Sequence, residues 1–84
     1  MFLHIGSNNV VSKKDVLSIL DYRLGFSNIT KEFIKTARNE GFLISIADLG
    51  KEKSYVITID KIYVSPISCS TLKKRFLSAL GNEE

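Results

Sequence analysis

Two pairs of lysines carry the clearest chemical signal in this 84-residue chain: Lys13 and Lys14 in one polar segment, Lys51 and Lys53 in another. Loop lysines set against a phosphate backbone neutralise it and add salt-dependent affinity without reading base sequence. Lys73-Lys74-Arg75 form a further basic run. Lys31, Lys35 and Arg38 recur at the spacing that puts side chains on one face of a helix. No aromatic residues interleave with the lysines as a base-stacking platform requires, so the pattern favours duplex backbone over single strands. The same lysines also match an ordinary solvated surface. Charge leaves both readings open: 12 Lys+Arg against 9 Asp+Glu give +3, a mild excess that suits a polyanion partner but is shared by many small domains.

The other reactive residue types offer little. His4 falls inside a short β-type run and reads as a packing or surface residue rather than a base. Cys69 lies between a strand-like run and a helix-like one, a position that can lower a thiol's pKa. With no second cysteine and no adjacent histidine, it reads as a small, partly buried structural residue. One Cys and one His exclude an internal disulfide and a thiolate zinc cluster. Asp15, Asp21, Asp48 and Asp60 are scattered, and the stretch between the last two lacks the ligand density of a calcium loop. Gly50-Lys51 lacks the first glycine, the Ser/Thr after the lysine and the following helix of a phosphate loop. The expectation is therefore a non-enzyme that needs no metal and no cofactor.

The elements that must position the lysines centre on LISIADLGKEKSYVITIDKIYVS, residues 43–65. Three runs rich in β-branched and aromatic residues, Leu43–Ala47, Tyr55–Ile59 and Ile62–Ser65, are bounded by polar turn residues. The segment from Asp48 to Ser54 fits a hairpin loop with Gly50 at a special backbone angle, and Asp60-Lys61 fits a tight turn. Together they predict an antiparallel meander with Lys51 and Lys53 at the tip of its first hairpin. Pro66 then ends the third strand, at a sheet edge.

Before this block, Phe2–Ile5 and Val10–Val11 form a first hairpin across Gly6-Ser7-Asn8-Asn9, a turn of residues that tolerate positive φ. Ser12-Lys13-Lys14-Asp15 fits either the cap of a helix reaching Leu24 or a turn before a strand at Val16–Asp21. The strand is favoured, because helical spacing leaves Ser18 and Asp21 poorly placed and Gly25 soon follows. Ser27–Glu40 is the clearest helix: Ile29, Phe33, Ile34 and Ala37 form one apolar stripe, Ser27 or Asn28 caps the start, and Gly41 ends it. A last helix, Thr71–Leu80, is capped by Ser68 or Ser70. It carries Leu72, Phe76, Leu77 and Leu80 inward and stops at Gly81, with a frayed Asn82-Glu83-Glu84 behind.

The fold class expected is α+β: a small antiparallel sheet with an N-terminal hairpin, a central helix, a C-terminal meander and a C-terminal helix, in one domain spanning residues 1–84. At this length a monomer buries little core. Its 44% apolar content suffices for a core and an apolar subunit interface. A symmetric assembly would multiply weak lysine contacts, with the second helix and the edge strand ending at Pro66 as candidate subunit contacts. Met-Phe-Leu-His-Ile-Gly has no basic leader, long apolar run or cleavage site. A cytoplasmic protein without membrane contact is expected.

Four segments carry a resemblance: FLHIG, VVSKKD followed by ILD, TKEFIKTARNEG, and VSPIS followed by TLKKR. In order and spacing, from Phe2 to about Phe76, the chain resembles the small bacterial extracellular-matrix (biofilm) regulators of the RemA/RemB family, and its ending is closer to the RemB branch. The resemblance implies a cytoplasmic α+β protein that assembles into a ring-like homo-oligomer. It implies transcription regulation by DNA binding at promoters of matrix genes, without a helix-turn-helix. It also places DNA-contacting arginines at the end of the turn matching Ser12–Asp15 and in the loop matching Gly50–Ser54. Here Asp15 stands at the first position and Lys51-Glu52 at the second, so Lys51 alone keeps a positive charge there, as a point charge rather than a bidentate fork. Lys13, Lys14 and Lys53 lie close by in sequence. Two functions follow as expectations. One is a homo-oligomeric regulator gripping duplex DNA through Lys13, Lys14, Lys51 and Lys53. The alternative is an interaction module that co-assembles with, or modulates, a related regulator without touching DNA.

Overall fold

The computed structural model describes residues 1–78 of the 84. Strands β1 (Phe2–Gly6) and β2 (Asn9–Ser12) form a two-stranded antiparallel hairpin. The turn between them has positive φ at both Ser7 and Asn8, the geometry that matches the twist of a two-residue hairpin loop. A short 3-10 turn, Lys13–Asp15, leads to β3 (Val16–Asp21), so the strand reading of this run is the correct one. A second 3-10 turn, Tyr22–Phe26, precedes helix α1 (Asn28–Asn39). Strands β4 (Leu43–Ser45), β5 (Ser54–Thr58) and β6 (Ile62–Ser65) follow, then helix α2 (Cys69–Phe76).

The α+β class and the element order agree with the sequence reading, but the meander needs correction. The main sheet runs β3-β5-β6-β4, with β4 parallel to β6 and the other pairs antiparallel. The chain leaving β4 therefore passes the end of β6 to reach β5, so residues 46–53 form a crossing connection and not a hairpin loop. A connection this long spans two strand spacings, about 10 Å, as readily as one, and strand composition carries no information on which neighbour is chosen. In consequence β6 lies inside the sheet, not at its edge; β3 and β4 are the edges. Pro66 still follows the last residue of β6, as expected of a strand end.

Both faces of this sheet are covered. On one, Ile19 and Val56 pack with Leu3, Ile5 and Val11 of the hairpin and Leu72 of α2. On the other, Tyr55, Ile62 and Val64 pack with Ile34 and Ala37 of α1. Alternation along β5 and β6 thus feeds two cores: Val56 and Tyr63 face the hairpin side, Tyr55, Ile62 and Val64 the α1 side.

The helix ends obey local rules. Ser27 Oγ accepts the Thr30 N–H, and Ser68 Oγ accepts the Thr71 N–H. At the end of α1, Gly41 has φ +82°; its N–H donates to Arg38 O and that of Phe42 to Ala37 O, the paired bonds of a left-handed helix stop. α2 begins two residues before the expected Thr71, and Leu77 is exposed rather than inward-facing. Leu80, Gly81 and the three last residues lie outside the described residues.

A buried hydroxyl fastens the hairpin to the main sheet. Ser65 Oγ, fully buried, donates to Ile5 O at 2.7 Å and accepts the Ile67 N–H at 3.0 Å. Its ladder partner Ser54, also fully buried, donates to Ile67 O at 2.7 Å. Next to this, Gly6 (φ +116°) lies so close to Pro66 that an added Cβ would sit 3.0 Å from the ring. A side chain there meets both the steric contact and a backbone angle reserved for glycine. Ser65→Ala removes the hydroxyl from the buried Ile5 O and the part-buried Ile67 N–H, so it should lower unfolding free energy by about 1–3 kcal/mol in urea titrations.

Candidate nucleic-acid interface

The structure separates the two lysine pairs. In the β3–β5 ladder, Val16 pairs with Thr58 at one end and Asp21 with Ser54 at the other. Lys13 and Lys14 precede Val16, whereas Lys53 precedes Ser54. The pairs therefore sit at opposite ends of the ladder, separated by about 17 Å of strand at 3.3 Å per residue.

Each lysine has its own setting. Lys13 is half-buried, and its Nζ donates to Ser78 O beyond α2 at 3.2 Å, so its charge is already used within the chain. Lys14 is exposed on the same 3-10 turn. Lys51 is exposed in the β4–β5 connection, where its N–H donates to Asp48 O, and Gly50 before it has φ +84°. Glu52 is turned onto its own loop, its Oε1 accepting the Gly50 N–H at 3.0 Å. The backbone of Lys53 is held at both sides: its N–H donates to Ser65 O at 2.9 Å, and its carbonyl accepts the Tyr22 N–H at 3.0 Å. Its side chain is exposed on a fixed base.

Lys53 has company that the chain order hides. It lines one cleft with Arg23 from the second 3-10 turn and Lys73 from α2, beside Asp21, Glu52 and Ser70. Lys73 belongs to a basic run visible in sequence; Arg23 stands alone there, and only the fold brings it to Lys53. Arg23 forks onto Asp21, with Nε to Oδ1 at 3.0 Å and Nη2 to Oδ2 at 2.9 Å, and its N–H also donates to Oδ1. That side-chain hydrogen bond, then the backbone one, lowers the Asp21 carboxyl from 3.8 to about 2. On the inner side of this region Tyr22 stacks on Tyr55 at 5.1 Å, and burial pushes the Tyr55 phenol up.

Of the remaining candidates, Cys69 also lines the cleft of Lys53 and Lys73, and His4 does not. His4 is exposed on β1, and its carbonyl accepts Arg75 Nη1 from α2 at 3.2 Å. Cys69 is half-buried at the start of α2, its Sγ 3.6 Å from Ile19 O. Among the described residues no group of three His, Cys, Asp or Glu side chains could hold a metal ion, and no helix is long and apolar enough to cross a membrane.

A second surface is apolar. The expected stripe of α1 splits: Ile34 and Ala37 are buried on the sheet, while Ile29 and Phe33 face outward. Phe33 lines a groove with Leu17, Phe42 and Ile59, all four exposed. Leu17 is placed there by an irregularity in β3, between Val16 and Ser18, that takes it out of the ladder.

This arrangement is a small α+β fold, and residues 2–76 match the family described as RemA-like, extracellular matrix regulatory protein A-like. The chain belongs to that family. It is similar to extracellular matrix regulatory protein B of Bacillus subtilis (strain 168), at 40% identity over 75 residues, 89% of this chain and 89% of that protein.

The Asp21–Arg23 pair sets a titration. Its carboxyl value is depressed in the folded state, so the stabilisation it adds is present above the unfolded value near 3.9 and is lost as pH falls toward about 2. Carboxyl-carbon NMR should find Asp21 titrating near 2, and Arg23→Ala should return it to the ordinary carboxylate range.

Proposed function

We propose that the chain is a cytoplasmic, DNA-binding transcriptional regulator of the matrix (biofilm) type, working as a homo-oligomer that grips duplex phosphates through loop lysines. Membership of a family of extracellular matrix regulatory proteins is the observation that carries this reading. The fold adds support in two ways. Lys14, Lys51 and Lys53 are exposed on short turns and connections, where ammonium groups reach a phosphate backbone without entering a groove. The groove of Leu17, Phe33, Phe42 and Ile59 offers a second copy an apolar face; single chains rarely leave such patches to water. Assembly matters because three lysines per copy give weak affinity, whereas repeated copies on one duplex act through effective concentration. Lys13 contributes least on this reading, since its ammonium is bonded to Ser78 O.

A second reading has its own observation. Asp15 occupies the turn beside Lys13 and Lys14, and Glu52 stands between Lys51 and Lys53. These acids oppose a phosphate, and they suit a module that co-assembles with a related regulator and leaves DNA contact to it.

Fluorescence anisotropy of a labelled duplex across a salt series separates the two. The regulator reading predicts a steep fall of log affinity with log salt, flattened by about 1.8 in the Lys51→Ala/Lys53→Ala double variant at about 0.9 per phosphate contact. Absence of binding at low salt would leave the co-assembly reading.

The groove yields a further expectation. Phe33→Glu/Leu17→Glu should lower the mass seen by light scattering after gel filtration while leaving far-ultraviolet circular dichroism unchanged.

A further inference from the structure

The cleft beside α2 gathers cations from three segments remote in sequence. Arg23 comes from the turn after β3, Lys53 from the connection before β5, and Lys73 from α2. Ser70 and Lys73 are three residues apart on the helix and so share one face. Lys53 is fixed at its backbone by Ser65 and Tyr22. Two carboxylates also line the cleft, and each is occupied: Asp21 by Arg23, Glu52 by the Gly50 N–H. The Asp21–Arg23 pair is the one ion pair among the described residues, so Lys53 and Lys73 point into the same space without a carboxylate partner. The cleft measures about 730 Å³ and opens to solvent. That is far larger than one phosphate group, and it fits a stretch of backbone passing over the site better than an enclosed ion.

We infer that this cleft is a phosphate seat, in which Lys53 and Lys73 bind one phosphodiester of the duplex, Ser70 supplies a hydroxyl donor and Arg23 stands at the rim. The source of the phosphate rests on the duplex-binding reading above; the phosphate chemistry of the cleft does not. Lys73 and Ser70 thereby join the contact set, and the end of the ladder that carries Lys53 becomes the principal DNA contact of each copy. Compact ammonium charges suit such a seat, because they follow a phosphate without demanding one approach direction.

The test compares Lys73→Ala with Lys74→Ala. Both remove one charge from exposed positions of α2, but Lys74 does not line the cleft. In the duplex salt series, Lys73→Ala should flatten the slope by about 0.9 and weaken binding at every salt concentration, with a much smaller change in Lys74→Ala. Equal losses in the two would reveal only a diffuse positive field and overturn the seat. Calorimetric titration with inorganic pyrophosphate gives an arm free of DNA. Binding that is lost in Lys73→Ala and kept in Lys74→Ala supports the seat even if the wild-type chain ignores duplex, and then assigns it to a free phosphorylated ligand. No heat from pyrophosphate together with no loss of duplex affinity in Lys73→Ala would overturn it.

Discussion

The structure depends on a pair of buried serine hydroxyls. Ser54 and Ser65 face each other across β5 and β6, and between them they hold Ile5 of the hairpin and Ile67 of the segment leading into α2. Hydroxyls this deep are stable only when bonded; here one bond reaches Ile5 and two reach Ile67. Gly6 against Pro66 closes the same junction by shape. The main sheet thereby receives the hairpin and α2 on one face as a single layer. The consequence for the surface is direct: Ile67 leads to Ser68, which caps α2, and α2 carries Lys73 to the cleft beside Lys53.

The opposite face follows a different logic. The sheet offers α1 a surface wide enough for Ile34 and Ala37 but not for the whole apolar stripe. Ile29 and Phe33 are left outside, and Leu17, freed from the ladder by the irregularity in β3, joins Phe33 in the groove. A chain of this size has few residues to spare for such an arrangement, and on the proposed reading this apolar exterior serves as the contact with a second copy. The cleft of Lys53 and Lys73 shares no lining residue with the apolar groove, so on the proposed reading a copy bound at the groove need not cover either lysine.

Much of this was legible in the residues themselves. Ser27 and Gly41 mark the ends of α1 because capping is local chemistry, and the first hairpin announces itself through Gly6-Ser7-Asn8-Asn9. The strand character of Val16–Asp21 was recoverable because helical spacing mislaid Ser18 and Asp21. The pairing of β4 with β6 was not, since strands of similar composition satisfy either neighbour and a connection of eight residues reaches both. That one topological choice also hid part of the candidate site. A hairpin tip would have held Lys51 and Lys53 away from the body, whereas the crossing connection lays Lys53 against Ser65 and Tyr22 and brings it to Arg23 and Lys73. Arg23 had no periodic or compositional signal at all; its neighbours in space come from elements dozens of residues away. The bond from Lys13 to Ser78 was equally invisible, because nothing in a lysine's sequence context says whether its ammonium meets solvent or a carbonyl.

On the proposed reading, affinity is a property of many copies, each adding a few screened phosphate contacts, rather than of one chain. Sedimentation velocity with a fluorescent duplex at low salt tests this most directly, because it weighs the species that carries the label. The account predicts that the label sediments with a particle containing several copies of the chain. Label that sediments as free duplex beside assembled protein, or with a single copy, would contradict it.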